Sequence, residues 1–541
     1  MTGEPGSRGR AVRTRQSKGA LKLTRAQRDD PASRPEGPGA ASESAGGAPA
    51  LSRGRRFGIL AICSLSLFIV GLDNTIVNVA LPSLQRELHA GYSGLQWVID
   101  SYLIVLASLL LLSGSTGDRI GRRRMFRTGL IIFTTGSLLC SLAPNLPALV
   151  AFRMLQAVGG SMLNPNSLSI ITNVFTKARE RATAIGIWGA VFGLSAASGP
   201  VFGGILTSGI GWRAVFWVNV PVGLAALVLT ARYVPESRAG RARRIDLPGQ
   251  GLAIVFLASV TYAIIEGPSR GWGSPLISGL FAVVVAALAA FIYAERRRAE
   301  PLLDIRFFRS PPFAGATALA TLVFFIFAGF LFLNTLYLQQ VRGQSPIEAG
   351  AWTLPMTIVL AVVSPLAGRL VGRRGPRVPV VAAGIAFAAA GAVLAQATPG
   401  YPFGYLVLAY VLLGLAFGMV NPAITNGAVA GMPRSQAGVA SATASVCRQV
   451  GSALGVALVG AIVTSGLGGT GAGALPGGGG GTLSGAARDL FTGATHAAWW
   501  LTCACGVAIA VIGWATSGRR ALAAADRTAD RLGGGLAASH S

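Results

Sequence analysis

Charged side chains stand within or at the ends of long apolar runs, among them Asp73 in LDNTIVNVALP, Asp100 in QWVIDSYLI, Arg153 in FRMLQAVGG and Glu266 in YAIIEGPSR. At the centre of a bilayer such a charge costs about 2.5–3.5 kcal/mol on insertion scales, so it turns toward a cavity or a partner and commonly marks a functional path. Asp73 in that setting is a group that can exchange protons with cavity water; the plainer reading is a hydrogen bond tying its segment to its neighbours. Arg153 needs an acid, a carbonyl or water, and Gln156, one helical turn further on, extends the polar track. Asp100 stands near Trp97 and Tyr102, a charge and two aromatic faces that together would attract a lipophilic cation. An interfacial position in an aromatic belt would explain Asp100 equally well. Glu266 is a third acidic candidate for proton exchange, although it ends its run and points to the outer water.

No enzyme constellation accompanies these residues. His89, His496 and His540 fall in loops or the tail, and there is no phosphate-binding Gly-rich loop ending in Lys. The five cysteines lie inside apolar runs with neither CxxC spacing nor a neighbouring His, so neither zinc nor a disulfide framework is indicated. No cofactor is expected.

The segments that must position these groups are membrane helices. Of 541 residues, 52% are hydrophobic and only 12% charged, about half the charge of a soluble domain, and the mean hydropathy is +0.57. Apolar runs of spanning length fall at about 57–79, 95–114, 126–143, 147–173, 182–207, 213–233, 249–267, 275–295, 313–340, 349–371, 378–397, 403–427, 437–464 and 494–516. Most are apolar nearly all round, unlike the helices of soluble proteins. The net charge of +26 raises the question of nucleic acid, and its distribution answers against it. The breaks after even-numbered runs carry GDRIGRRRMFR, TKARER, ESRAGRARR, ERRRAEPLLDIRFFR, GRRGPR and MPRSQ, while alternate breaks hold lone bases such as Arg86 and Arg270 or none. That is the positive-inside pattern, with both termini in the cytoplasm of a bacterial inner membrane. The lipid bilayer and small amphipathic molecules are the expected partners, and the chain is expected to be a monomer.

Elements recur eight runs apart. GSTGDRIGRR (114–123) follows the second run and GRLVGRRGPR (368–377) the tenth; GGSMLNP (159–165) lies in the fourth and FGMVNP (417–422) in the twelfth. The spacing predicts an all-α membrane protein of fourteen spans, two six-helix bundles with two inserted helices between them. The expected divisions are a disordered basic tail over 1–55, the first bundle over 56–235, the inserted pair over 236–300, the second bundle over 301–517 and a tail over 518–541. Parallel repeats of this kind carry a substrate site between the halves. The second copy has Gly372 where the first has Asp118, and Asn334, Tyr337, Gln339 and Gln340 in run nine would line the cavity or its outer mouth.

Residues 57–465 resemble the fourteen-span drug:proton antiporter family of the major facilitator superfamily, related to quaternary-ammonium exporters and antibiotic self-resistance pumps. The likeness rests on LDNTIVNVALPSL (72–84), GDRIGRRR (117–124), RMLQAVGGSMLNP (153–165), GLSAASGPVFGG (193–204) and GWRAVFWVNVPVG (211–223), in order on the appropriate runs. It implies a major facilitator fold and a carrier that exports drugs in exchange for protons. Asp73 and Arg153 then match the coupling motifs, and Asp118 and Arg122 the cytoplasmic gate. Gly199, Pro200, Gly203 and Gly204 supply the GPxxGG core that marks the antiporter branch. Some relatives that export cationic dyes share an Asp at position 100, which favours a cationic cargo held by Asp100, Trp97 and Tyr102 with Gln156, Asn334, Tyr337 and Gln340. A dedicated exporter of one endogenous metabolite, or a non-transporting sensor of the same fold, are the alternatives.

Overall fold

The computed structural model describes residues 52–238, 246–298, 303–432, 436–467, 483, 485–518 and a few positions between 521 and 528. Most of the expected 1–55 tail, the Gly-rich stretch 468–482 and most of the C-terminal tail lie outside the described residues. The described chain is helical and contains no strand. Fourteen helices follow one another: α1 (Arg53–Leu88), α2 (Tyr92–Ile120), α3 (Arg122–Ser141), α4 (Leu146–Val174), α5 (Ala178–Gly209) and α6 (Ala214–Tyr233). Then come α7 (Leu247–Arg270) and α8 (Pro275–Arg297). The series closes with α9 (Pro311–Val341), α10 (Pro346–Arg374), α11 (Arg377–Leu394), α12 (Phe403–Val429), α13 (Ala437–Gly466) and α14 (Gly485–Thr516). Thirteen are long and apolar enough to cross a membrane by length and composition alone. The fourteenth, α3, begins with Arg122, Arg123, Arg124 and Arg127 and carries several hydroxyls, which dilute its apolar stretch.

Helix ends follow from local chemistry. Asn145 accepts the Ala148 amide at the start of α4, Asp246 accepts the Gly249 amide at the start of α7, and Ser345 with Glu348 forms a capping box on α10. The break between α2 and α3, expected as a loop, is a single residue. Gly121 turns there at φ 124°, and a side chain would collide with the Glu236 carboxylate. Asp118 therefore ends α2 and Arg122 opens α3. Other boundaries also move, most of all in α1, which continues to Leu88, and α14, which begins at Gly485; α1 already begins at Arg53, inside the expected tail. At 36 residues α1 is about 54 Å long, well beyond the hydrocarbon thickness.

The helix contacts repeat with an offset of eight. α1 packs on α4, α5 and α6; α2 and α3 pack on α4, and α3 on α6. In the second half α9 packs on α12, α13 and α14; α10 and α11 pack on α12, and α11 on α14. The sequence echo is part of this geometry. A Cβ placed on Gly114 would lie 3.4 Å from the Pro165 ring, and one on Gly368 would lie 4.0 Å from Pro422. Thus each glycine that opens the repeated basic motif sits against the proline of the repeated Asn-Pro motif. The halves meet through α2 with α13 and through α5 with α10, two contacts related by the same offset. Helix α7 packs on both α2 and α13, and α8 packs chiefly on α7, leaving side chains such as Val285 exposed to lipid.

Candidate transport site

The core of the first half is polar where the sequence placed its charges. Asp73 and Arg153 are fully buried and form an ion pair, with Nη1 2.6 Å from Oδ2. Removing a buried charge from such a pair costs about 3–5 kcal/mol, because the other charge is left uncompensated. Both members here are further satisfied. Gln156 Nε2 donates to Asp73 Oδ1 at 2.9 Å, and Asn219 Nδ2 donates to the same oxygen at 3.0 Å. Arg153 also donates to Gln156 Oε1 at 2.7 Å and, through Nε, to the Val98 carbonyl at 3.2 Å. Its guanidinium lies 4.1 Å from the Tyr102 ring centroid.

Ser137 completes the cluster, accepting from Gln156 at 2.7 Å and from Asn219 at 3.0 Å. Five helices, α1, α2, α3, α4 and α6, thereby meet on one network. Local sequence explains the fit. Arg153, Gln156 and Gly160 share one face of α4; a side chain on Gly160 would meet the Tyr102 hydroxyl, and one on Gly159 would strike the backbone of α3 at Phe133. Ser137 and Asn219 were missed by the sequence reading. Asn219 stood within the quoted GWRAVFWVNVPVG, and a carboxamide in an apolar run was the available signal.

The expected cargo cluster does not form a single patch. Tyr102 turns to Arg153, whereas Trp97 turns to α7, where its indole donates to Glu266 Oε1 at 3.1 Å and its ring lies 5.7 Å from that of Tyr262. Glu266 is also 3.5 Å from Arg270, an ion pair at the outer end of α7 apart from the Asp73 network. Asp100 lies on a third aspect of α2. It is fully buried, and neither carboxylate oxygen has a hydrogen-bond partner among the described residues. One turn earlier, Gln96 donates to the Val456 and Ala457 carbonyls of α13 at 3.2 and 2.9 Å, so this aspect faces the other half.

The residues proposed on α9 separate similarly. Asn334 accepts from the Tyr410 hydroxyl and Tyr337 donates to the Thr398 carbonyl at 2.7 Å, both within the second half. Gln340 crosses between halves, donating to Gln85 at 2.6 Å and accepting from Tyr92 at 3.0 Å. Gln339 donates to the Val79 carbonyl at 2.9 Å. Residues Tyr337–Val341 form a π-helical turn, and its extra residue lets successive glutamines reach α1 and α2. These bonds join α9 to α1 and α2 at the ends away from the Asp118–Arg122 pair.

The span-five glycines add to these contacts. A Cβ on Gly203 would come 2.7 Å from the Ile76 carbonyl, and Gly199 abuts Thr75, so both hold α5 on α1. A Cβ on Gly204 would come 2.6 Å from the Pro346 carbonyl of α10, and the Pro200 carbonyl lies against Gly350. The Ile347 amide donates to Ser208 at 3.1 Å beside them. At the opposite end, Asp118 and Arg122 pair at 2.9 Å.

This fold and buried network define a membrane carrier of two repeated halves. Residues 63–456 match the model of the Major Facilitator Superfamily, and the chain belongs to that family of membrane transporters. It is a multi-pass membrane protein. Among curated proteins it is 39% identical over 406 residues to the multidrug resistance protein Stp of Mycobacterium tuberculosis, covering 75% of each chain. It is 38% identical to the tetracenomycin C resistance and export protein of Streptomyces glaucescens, covering 77% of each. It is 40% identical to a puromycin resistance protein of Streptomyces alboniger, covering 76% of this chain and 82% of that one. Among solved structures, a bacterial homologue of the lysosomal transporter Spinster in an inward-facing form matches with TM-score 0.62 and 21% identity, over 89% of this chain and 99% of that one. That likeness concerns the fold.

Proposed function

We propose that this chain is a proton-coupled drug exporter of the bacterial cytoplasmic membrane, working by alternating access as a carrier and not an enzyme. The observation that carries the reading is the buried Asp73–Arg153 pair, supported by relatives named for antibiotic resistance and export. Asp73 is the proton acceptor. With Asp73 ionised, Arg153 is neutralised and ties α4 to α1 and, through the Val98 carbonyl, to α2. Protonation removes the countercharge of a buried guanidinium, so Arg153 must find other partners. The strain falls on α2, whose Gln96 holds α13. Proton uptake is thereby linked to the contact between the halves, and the outward-closed arrangement is released.

Asp100 supports a cationic amphipathic cargo: a buried carboxylate without a protein partner is completed by a proton or a cation. The expected domain divisions, cytoplasmic termini, monomeric state and absence of a bound cofactor or nucleic acid belong to this same proposal. Inverted vesicles holding the chain should accumulate a fluorescent cationic drug when acidified inside and stop when an uncoupler is added. Accumulation unaffected by the uncoupler across a broad drug panel would overturn proton coupling.

A further inference from the structure

A cleft of about 1050 Å³ opens between the first turns of α1 and the last turns of α6. Arg55 and Arg232 stand at it, and below them Gly58, Ile62, Leu65 and Leu229 form an aliphatic wall. No carboxylate is among the described residues that line it. Arg55 reaches only the Tyr233 carbonyl, at 3.5 Å, and Arg232 has no protein partner among the described residues. The neighbouring bases differ. Arg56 is paired with Glu180 at 2.6 Å, and Glu236 is engaged by the Arg123 amide at 3.1 Å. Glu180 and Glu236 are thus engaged elsewhere, and two guanidiniums without a carboxylate partner among the described residues share one mouth.

Like charges held together above an apolar slot call for an anion with a hydrocarbon tail. The basic loops put these helix ends at the cytoplasmic interface, where anionic lipid headgroups lie and basic pockets between helices recognise them. We propose that this cleft binds one anionic phospholipid of the inner leaflet, its phosphate between Arg55 and Arg232 and one acyl chain along Ile62, Leu65 and Leu229. Gly58 keeps the slot open, since a side chain there would point into free space and fill it. The site is separate from the proton network and does not depend on which drug is carried. It fixes the depth of α1 at the interface, on the same helix that carries Asp73.

Native mass spectrometry of the full-length protein with added phosphatidylglycerol or phosphatidylcholine tests this. The wild type should retain one phosphatidylglycerol in preference to phosphatidylcholine. Arg55→Gln/Arg232→Gln should lose about thirtyfold in that preference, the share two interfacial bases contribute. Gly58→Leu should weaken phosphatidylglycerol retention with both bases in place, which guards against misfolding of the double variant. Arg369→Gln/Arg373→Gln, on α10, should leave retention as in the wild type. Equal binding of the two lipids, or loss in the α10 variant equal to that in the cleft variant, would overturn the site in favour of overall charge. Displacement by excess inorganic phosphate would overturn the lipid in favour of a free anion.

Discussion

The two halves share one helix plan and differ in what fills it. The first half buries an acid, a base and three polar partners at the junction of five helices. The second half has only Glu348 and Asp489 as acids between residues 311 and 516. Its helices meet through small residues: Gly384 lies against Ala510, Gly391 against Cys503 and Gly414 against Met356. Its interior base, Arg448, donates to Thr425 at 3.2 Å and faces the Phe324 ring, with no carboxylate. A packed half without a buried ion pair can act as a rigid partner, while a half with an ion pair at its core has a place where one proton alters the balance. The comparison teaches that repeated architecture does not require repeated chemistry. Gly372 in the second basic motif, where the first has Asp118, is the same asymmetry at the matching helix ends.

The largest expected effect comes from breaking the pair. Arg153→Met should destabilise the protein by about 3–5 kcal/mol, seen as a lowered unfolding temperature in detergent. Adding Asp73→Leu to it should recover most of that stability without restoring transport. If the double variant were no more stable than the single one, the charge pairing would not be what holds these helices. Arg153→Lys should fold and transport weakly, since an ammonium cannot serve Asp73, Gln156 and the Val98 carbonyl with the guanidinium's fork.

A smaller effect is expected at the outer closure. Gln340→Leu removes bonds to Gln85 and Tyr92, worth about 0.5–1.5 kcal/mol each. Labelling of a cysteine introduced at Ser83 by an impermeant maleimide should rise severalfold, and unchanged labelling would remove Gln340 from the closure. The smallest effect is expected in the second half. Arg448→Gln should leave the pH dependence of efflux as in the wild type, and a shifted profile would show that this half also takes part in coupling.

Much of the fold was legible because spanning helices announce themselves by length and loop charge. The eightfold offset of the basic and Asn-Pro motifs reappears as contacts between Gly114 and Pro165 and between Gly368 and Pro422. Asp73, Arg153 and Gln156 were legible because polar groups in apolar runs need partners. Ser137 and Asn219 were not, since a serine or an asparagine in a span usually bonds to its own helix and only packing shows which ones meet. Trp97, Asp100 and Tyr102 have different partners: Trp97, i,i+3 from Asp100, is drawn to Glu266 of α7, while Tyr102 lies on the opposite side of α2 against Arg153. Gln340 was expected at the cavity or its mouth; the π turn that sends it across to Gln85 of α1 leaves no mark in composition.

The central claim is that Asp73 is the proton acceptor of the first half. Proteoliposomes containing Asp73→Asn, compared with the wild type, should show drug uptake driven by an imposed pH gradient falling to background while exchange of drug between equal pools continues. Gradient-driven uptake and proton flux retained at wild-type levels in that variant would contradict the account.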